Sequence, residues 1–232
     1  PYVSLAFVLV LGLGFGIMLY FISIHRVIGA PELTTLLATF AVSLMIIGID
    51  TAAFTTTQRA VEVKLGTFQA GAITILGTRV VAALIAGVVT IGLYVFLYRT
   101  RIGKSIRAVA NNRAAAELMG INTTWVLALS FGIGIMLAAI SGGLIATILS
   151  FTILSGGEFQ LKSFVIVVLG GLGNPTGALL GGIILGLLEG LIPIMKLPII
   201  GSIPFGWVPV IEYVIFILIL LIRPRGLLGA RT

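Results

Sequence analysis

Few residues in this chain have types and spacing suited to chemistry. Gly103-Lys104-Ser105 has the order that closes a phosphate-binding loop, GxxxxGK[ST], in which backbone amides and the lysine cradle a nucleotide's phosphates. That loop needs a glycine at position 98, where Tyr98 stands, and a parallel strand before it, where the sequence is a long apolar run. A nucleotide site is therefore excluded. His25 is the single histidine, and no Ser/His/Asp constellation or histidine-carboxylate metal cluster is read around it. Its place at the end of an apolar run reads as interfacial. There is no cysteine, hence no disulfide and no thiolate metal site. Asn122-Thr123-Thr124 fits a glycosylation sequon but falls in a loop assigned below to the cytoplasm. No catalytic residue, metal or resident cofactor is expected, and the chain does not read as an enzyme.

Glu189 is a candidate of another kind, because an acid within an apolar run is costly in a bilayer and functional by default. Counted from Thr176, it lies roughly 20 Å along its helix, toward the outer side. Two readings stand: it faces a transport path and meets a substrate ammonium, or it closes a helix–helix hydrogen bond. Upstream, Gly170-Gly171-Leu172-Gly173-Asn174-Pro175 interrupts the apolar run. Gly170, Gly171, Gly173 and Asn174 either line a path with irregular backbone or form a plain tight turn on the cytoplasmic side.

The elements that must carry these residues are membrane helices. The chain is 59% hydrophobic and 9% charged, with a mean hydropathy of +1.25. Continuous apolar runs of about twenty residues, without strand-like alternation, make it an all-α polytopic transmembrane helical bundle rather than a β-barrel. The net charge of +7 sits mainly in loops beside spans, which is orientation bias and not a nucleic-acid footprint. About seven spans are expected, near residues 3–24, 33–49, 79–98, 125–150, a short one around 163–170, 176–192 and 210–222. Asp50 marks the end of the second. Ser155 to Glu158 read as loop, with the short span starting near Ser163 or before Lys162. The alternation of Val61, Val63 and Leu65 with Glu62 and Lys64 predicts a small surface hairpin within 51–77. Pro193, Pro198, Pro204 and Pro209 make 193–209 a loop or re-entrant segment. Two small-residue stripes, Ser130, Gly134, Ala138, Gly142 and Ala146 on one helix and Gly182, Gly186 and Gly190 on another, are expected to be packing faces.

Residues 99–124 stand out as polar, with Arg99, Arg101, Lys104, Arg107 and Arg113 against Glu117. Asn112 is a good N-cap and Gly120 a good C-cap, predicting a helix of about two turns over Arg113-Ala114-Ala115-Ala116-Glu117 and beyond. A helix so short needs a docking partner. Placing this loop in the cytoplasm puts His25/Arg26 and the Arg223/Arg225/Arg231 tail inside too, with 51–77, 150–162 and 193–209 outside.

Ala114, Ala115, Ala116 and Gly120 have the spacing of the EAA-xxx-G loop of ABC transporter permeases, with Ala114 in the acidic position. From Thr100 to Gly229 the chain resembles the permeases of branched-chain amino acid ABC transporters of the LivH/LivM type. The landmarks are GKSIRAVANNRAAAELMGIN, AAISGGL, VVLGGLGNPTGALLGGIILGLLEG and LIRPRGLLG, and their order and spacing favour the LivH side. Residues 1–99 match more loosely, through ELTTLLATFAVSLMI.

The resemblance implies one transmembrane permease domain over 1–232, with 99–124 as its cytoplasmic coupling loop, in a prokaryotic cytoplasmic membrane. It implies a second permease subunit, two cytoplasmic ATPases that bind the ATP, and a solute-binding protein. Branched-chain or related hydrophobic amino acids are the implied substrates; urea or short-amide importers, an ion-coupled secondary transporter and a structural membrane subunit are the alternatives. Small side chains at 114–116 would let the helix sit deep in an ATPase groove, with Arg107 and Arg113 pairing acids at its rim. Ala114 removes the charge contact the motif's acid would make. The chain begins at Pro1 within an apolar run and lacks the Asn-Phe-Ala-His-Gly-like segment of the family, so an N-terminal part is expected to be missing.

Overall fold

The computed structural model describes residues 4–61, 63, 66–70, 73–194, 196–197, 201–202, 205–223 and 226–228. Nine α-helices account for most of them: α1 (Ser4–Ile22), α2 (Glu32–Phe54), α3 (Gly77–Arg99), α4 (Arg101–Asn111), α5 (Arg113–Leu118), α6 (Thr123–Ile145), α7 (Ser155–Gly170), α8 (Pro175–Leu191) and α9 (Val208–Ile222). The helices α1, α2, α3 and α6, and α8 with the turn that follows it, are long and apolar enough to cross a membrane. α7 and α9 are shorter, at 16 and 15 residues, and fall where the other two expected segments were placed, so five of the seven expected segments reach spanning length among the described residues. The all-α polytopic expectation holds. Contacts divide the chain into two compact units, 1–154 and 155–232.

Unit 1 is built on the crossing of α1 and α6. Its backbones approach at glycines: a Cβ on Gly16 would lie 2.7 Å from Gly132 Cα, and one on Gly12 3.1 Å from Met136 Cα. Tyr20, Ile24 and Ala128 are buried beside this crossing, and Ala82, Ile140 and Leu144 form a second cluster where α3 joins. The close-packed face of α6 is thus not the stripe expected. Gly134, Ala138 and Gly142 are exposed, with no atom near a Cβ on either glycine. Ser130 returns its hydroxyl to the Val126 carbonyl, and Ala146 follows the helix end. Small residues recur on two faces of α6, and spacing alone does not say which one α1 covers.

In unit 2, α7 and α8 form a tight antiparallel pair against which α9 packs. Here too the contact face differs from the expected one. Gly177 and Gly181 meet the backbone at Gly170 and Ile166, while Gly186 and Gly190 face open space and a Cβ on Gly182 would only touch Ile166 at 3.7 Å.

Several boundaries differ from expectation. Ser155 to Glu158 belong to α7, which settles the short-span difficulty by starting ahead of Lys162. α2 runs past Asp50 to Phe54, since a carboxylate near a helix end can reach the polar layer without stopping the helix. The hairpin lies later than the alternating residues: β1 (Thr67–Ala70) pairs antiparallel with β2 (Ile73–Leu76), Gly66 (φ 69°) turning the chain ahead of it. Glu62, Lys64 and Leu65 lie outside the described residues, as do Pro198, Pro204, Arg225 and Arg231. Within 193–209, single helical turns at Ile192–Ile194 and Phe205–Trp207 flank the two-residue strands β3 (Lys196–Leu197) and β4 (Gly201–Ser202).

Candidate functional site

The polar stretch 99–124 folds as two helices and not one. Thr100 caps α4, its hydroxyl accepting from Gly103 N–H at 3.0 Å, and a Cβ on Gly103 would lie 2.6 Å from Leu97 Cα. The glycine of Gly103-Lys104-Ser105 therefore permits a sharp corner between α3 and α4. α4 is amphipathic, with Gly103 and Val109 buried and Arg101 and Lys104 outward. Its Arg107 guanidinium lies 4.4 Å from the Tyr98 ring, and Tyr98 in turn stacks on Tyr94 at 4.4 Å. Arg107 thus makes a cation–π contact back to α3.

α5 has both predicted caps. Asn112 Oδ1 accepts from Ala115 N–H at 3.0 Å. At the other end Gly120 (φ 79°) donates its N–H to the Glu117 carbonyl at 2.9 Å, and Ile121 donates to Ala116 at 3.1 Å. These two bonds are the Schellman closure, which needs a left-handed residue. Ala116 is buried against Val109 and Val126, so α5 rests on α4 and α6. Ala114 and Ala115 face outward, with Leu118 90% and Met119 82% exposed. The apolar pair Leu118 and Met119 is the feature that the sequence reading missed; the signal was two large apolar residues at the end of a helix otherwise made of small and charged ones.

Glu117 faces neither partner nor solvent alone. Its Oε1 accepts from Thr123 Oγ1 at 2.6 Å and from Arg113 Nε at 3.1 Å. The Thr123 hydrogen bond, followed by Arg113, holds the carboxyl below the usual carboxylate range. Thr123 is the first residue of α6, so this carboxylate fastens α5 to α6. Asn122 caps α6 through Trp125 N–H at 3.2 Å, which accounts for the sequon-like triplet structurally. Trp125 packs edge-on to Phe21 at 5.5 Å, and Phe21 contacts His25. His25 thus lies at the same end of unit 1 as the start of α6.

The remaining candidates lie in unit 2. Gly170-Gly171-Leu172-Gly173-Asn174-Pro175 is a tight turn. Gly171 and Gly173 take φ 103° and 81°, and Asn174 Oδ1 caps α8 by accepting from Thr176 and Gly177 N–H. Asn174 Nδ2 also donates to the Leu228 carbonyl, while Leu227 and Leu228 donate to the Leu169 and Gly170 carbonyls. These polar groups are used locally. Glu189 accepts from Lys162 Nζ at 2.7 Å, the helix–helix contact that was one of its two readings. Glu212, on α9, is 1% exposed, and neither carboxylate oxygen has a hydrogen-bond partner. Sequence reading passed over it because it lies one turn inside a span whose start was placed two residues late.

Residues 2–223 match the family described as branched-chain amino acid transport system, permease component. The chain belongs to this family. It is 36% identical over 146 residues to the high-affinity branched-chain amino acid transport system permease protein BraD of Pseudomonas aeruginosa, covering 61% of this chain and 44% of that one. To LivH of Escherichia coli it is 34% identical over 142 residues, covering 60% and 43%. A probable LivH of Methanocaldococcus jannaschii is 29% identical over 241 residues, covering 99% of this chain and 75% of that protein. The alignments thus span less than half the length of BraD and of the Escherichia coli LivH. No solved structure matches. The family and the apolar helices make this a multi-pass membrane permease component, and the LivH resemblance agrees with the two relatives that carry that name.

Proposed function

We propose that this chain is the transmembrane permease subunit of an ATP-binding-cassette importer for branched-chain or related hydrophobic amino acids. It works with a second permease subunit, two cytoplasmic ATPases that bind the ATP, and a solute-binding protein, in the cytoplasmic membrane of a prokaryote. The α5 face of unit 1 and the Arg223 end of α9 are cytoplasmic in this reading, following the basic residues.

The observation that carries it is α5. A six-residue helix has no stability of its own in water, yet this one is closed at both ends, backed by buried Ala116 and bonded to α6 through Glu117. Its outer side offers Leu118 and Met119 as apolar knobs beside the small Ala114 and Ala115. When ATP draws two ATPases together, a helix seated in one of them moves as a rigid body, and α6 moves with it.

The test is ATPase activity and leucine uptake of the reconstituted complex. Leu118→Asp and Gly120→Val should each abolish substrate-stimulated hydrolysis and uptake while the membrane subunits still assemble. Unchanged stimulation in both variants would remove the coupling role.

A further inference from the structure

At the end of unit 1 opposite α5 lies a pocket that the coupling machinery does not use. α6 is 23 residues long, about 35 Å at 1.5 Å per residue, so its two ends lie at different membrane faces. Beyond its C-terminal end, a cavity of about 350 Å³ opens between the end of α2, residues 55–59 and residues 151–153. This is near the lower end of the range for small-molecule sites, with room for one metabolite and not for a peptide.

Its lining pairs opposite charges that do not neutralise each other. Asp50 and Arg59 both face the cavity but form no ion pair, and Asp50 makes no hydrogen bond or ion pair among the described residues. Arg59 is held in place. Its backbone N–H and C=O pair with Phe151 at 2.9 and 2.8 Å, and its Nη2 donates to the Phe54 carbonyl at 3.0 Å. A guanidinium has five N–H donors, so this anchorage leaves the other edge of the fork available. Gln58 Nε2 donates to Ser150 Oγ at 2.7 Å, fastening the same loop to the segment after α6. Thr57, also lining the cavity, shares a 3.1 Å hydrogen bond with Thr55, whose φ of 59° is rare for a β-branched residue. Phe54, Phe151 and Ile153 supply apolar wall.

We propose that this pocket binds a small zwitterion, a free α-amino acid with an aliphatic side chain. Arg59 takes the carboxylate, Asp50 takes the ammonium, and the apolar wall takes the side chain. A lone anion would be repelled by Asp50 and a lone cation by Arg59; a zwitterion satisfies both. The proposal rests on the amino-acid reading of the permease and adds to it a holding place at the membrane face away from the ATPases.

The experiment is binding of radiolabelled L-leucine to the purified permease complex in nanodiscs, without binding protein or ATP. The competitors are 4-methylpentanoate, which lacks the ammonium, and 3-methylbutylamine, which lacks the carboxylate. Leucine should bind saturably and outcompete each analogue by about tenfold or more, as expected for loss of a charged hydrogen bond. Asp50→Asn should erase the preference over 4-methylpentanoate, and Arg59→Gln the preference over 3-methylbutylamine, a crossed pattern that misfolding does not produce. Absence of saturable leucine binding overturns the proposal, as do unchanged preferences in both variants or an equal weakening of all three ligands. ATP-driven leucine uptake with its binding protein separates the two readings. Uptake without pocket binding refutes the pocket alone, and pocket binding without ATP-driven uptake refutes the importer alone.

Discussion

Lys162 and Glu189, 27 positions apart in the chain, meet at 2.7 Å between Nζ and Oε1 and join the middle of α7 to the far end of α8. On α9 the Glu212 carboxyl is buried with no hydrogen-bond partner among the described residues. Lys162→Met should lower the stability of the detergent-solubilised protein by about 1–3 kcal/mol, less than for a fully buried pair because Glu189 is half exposed. Glu212→Gln replaces a buried, unpartnered carboxyl by a neutral amide of the same shape and should raise or leave unchanged the melting temperature. A large loss of stability in Glu212→Gln would mean that the charge itself holds α9.

The glycines of α8 separate into two classes. Gly181→Ala puts a Cβ 2.8 Å from the Ile166 carbonyl and should cost about 1–3 kcal/mol, as overpacking does. Gly186→Ala meets nothing within 4 Å and should gain up to about 1 kcal/mol from helix propensity in the isolated subunit. Thermal melts of both variants check this. If Gly186→Ala is neutral in the subunit but weakens complex assembly, the exposed stripe is a subunit contact.

Acid should loosen the α5–α6 junction. The folded carboxyl of Glu117 sits below its ordinary range, so its contribution is full above that range and is lost as pH falls through the depressed folded value. Amide protection at residues 119–123, taken relative to the intrinsic exchange rate at each pH, should therefore fall at low pH in the wild type. In Glu117→Gln, protection should already be lower at neutral pH and should lose that dependence.

Arg107 and Tyr98 should be coupled. A double-mutant cycle of Arg107→Ala and Tyr98→Ala is expected to give about 0.5–2 kcal/mol, the range for cation–π contacts from exposed to desolvated. Arg107→Ala should leave contacts to the ATPases intact, since the guanidinium points to α3. Loss of ATPase binding with zero coupling to Tyr98 would instead place Arg107 at the rim of a docking groove.

The spans and the capped helix were legible because their causes are local. A twenty-residue apolar run, an Asn followed three residues later by a free amide, and a glycine at a helix end each act within a few residues. What failed was partner choice. Gly132 and Gly134 are both small residues on α6, and α1 selects one. Arg107 reads from the sequence as a partner for acids at a groove's rim, and the contact that the α3–α4 corner gives it with Tyr98 leaves no mark there. Glu212 could not be recognised as buried from its neighbours, because burial is conferred by α7 and α8. Asp50 and Arg59 were passed over because the turn at 55–58 that places them around one cavity leaves no periodic mark.

The backbone bonds from Leu227 and Leu228 to Leu169 and Gly170 have a consequence for biogenesis. The turn between α7 and α8 closes on its own local bonds, but the Leu169 and Gly170 carbonyls gain these partners from residues that follow α9. Until synthesis has passed residue 228 the α7–α8 hairpin therefore lacks these two bonds. A chain released before Gly226 would leave these two carbonyls unpaired at the membrane surface, a defect that membrane proteases can detect.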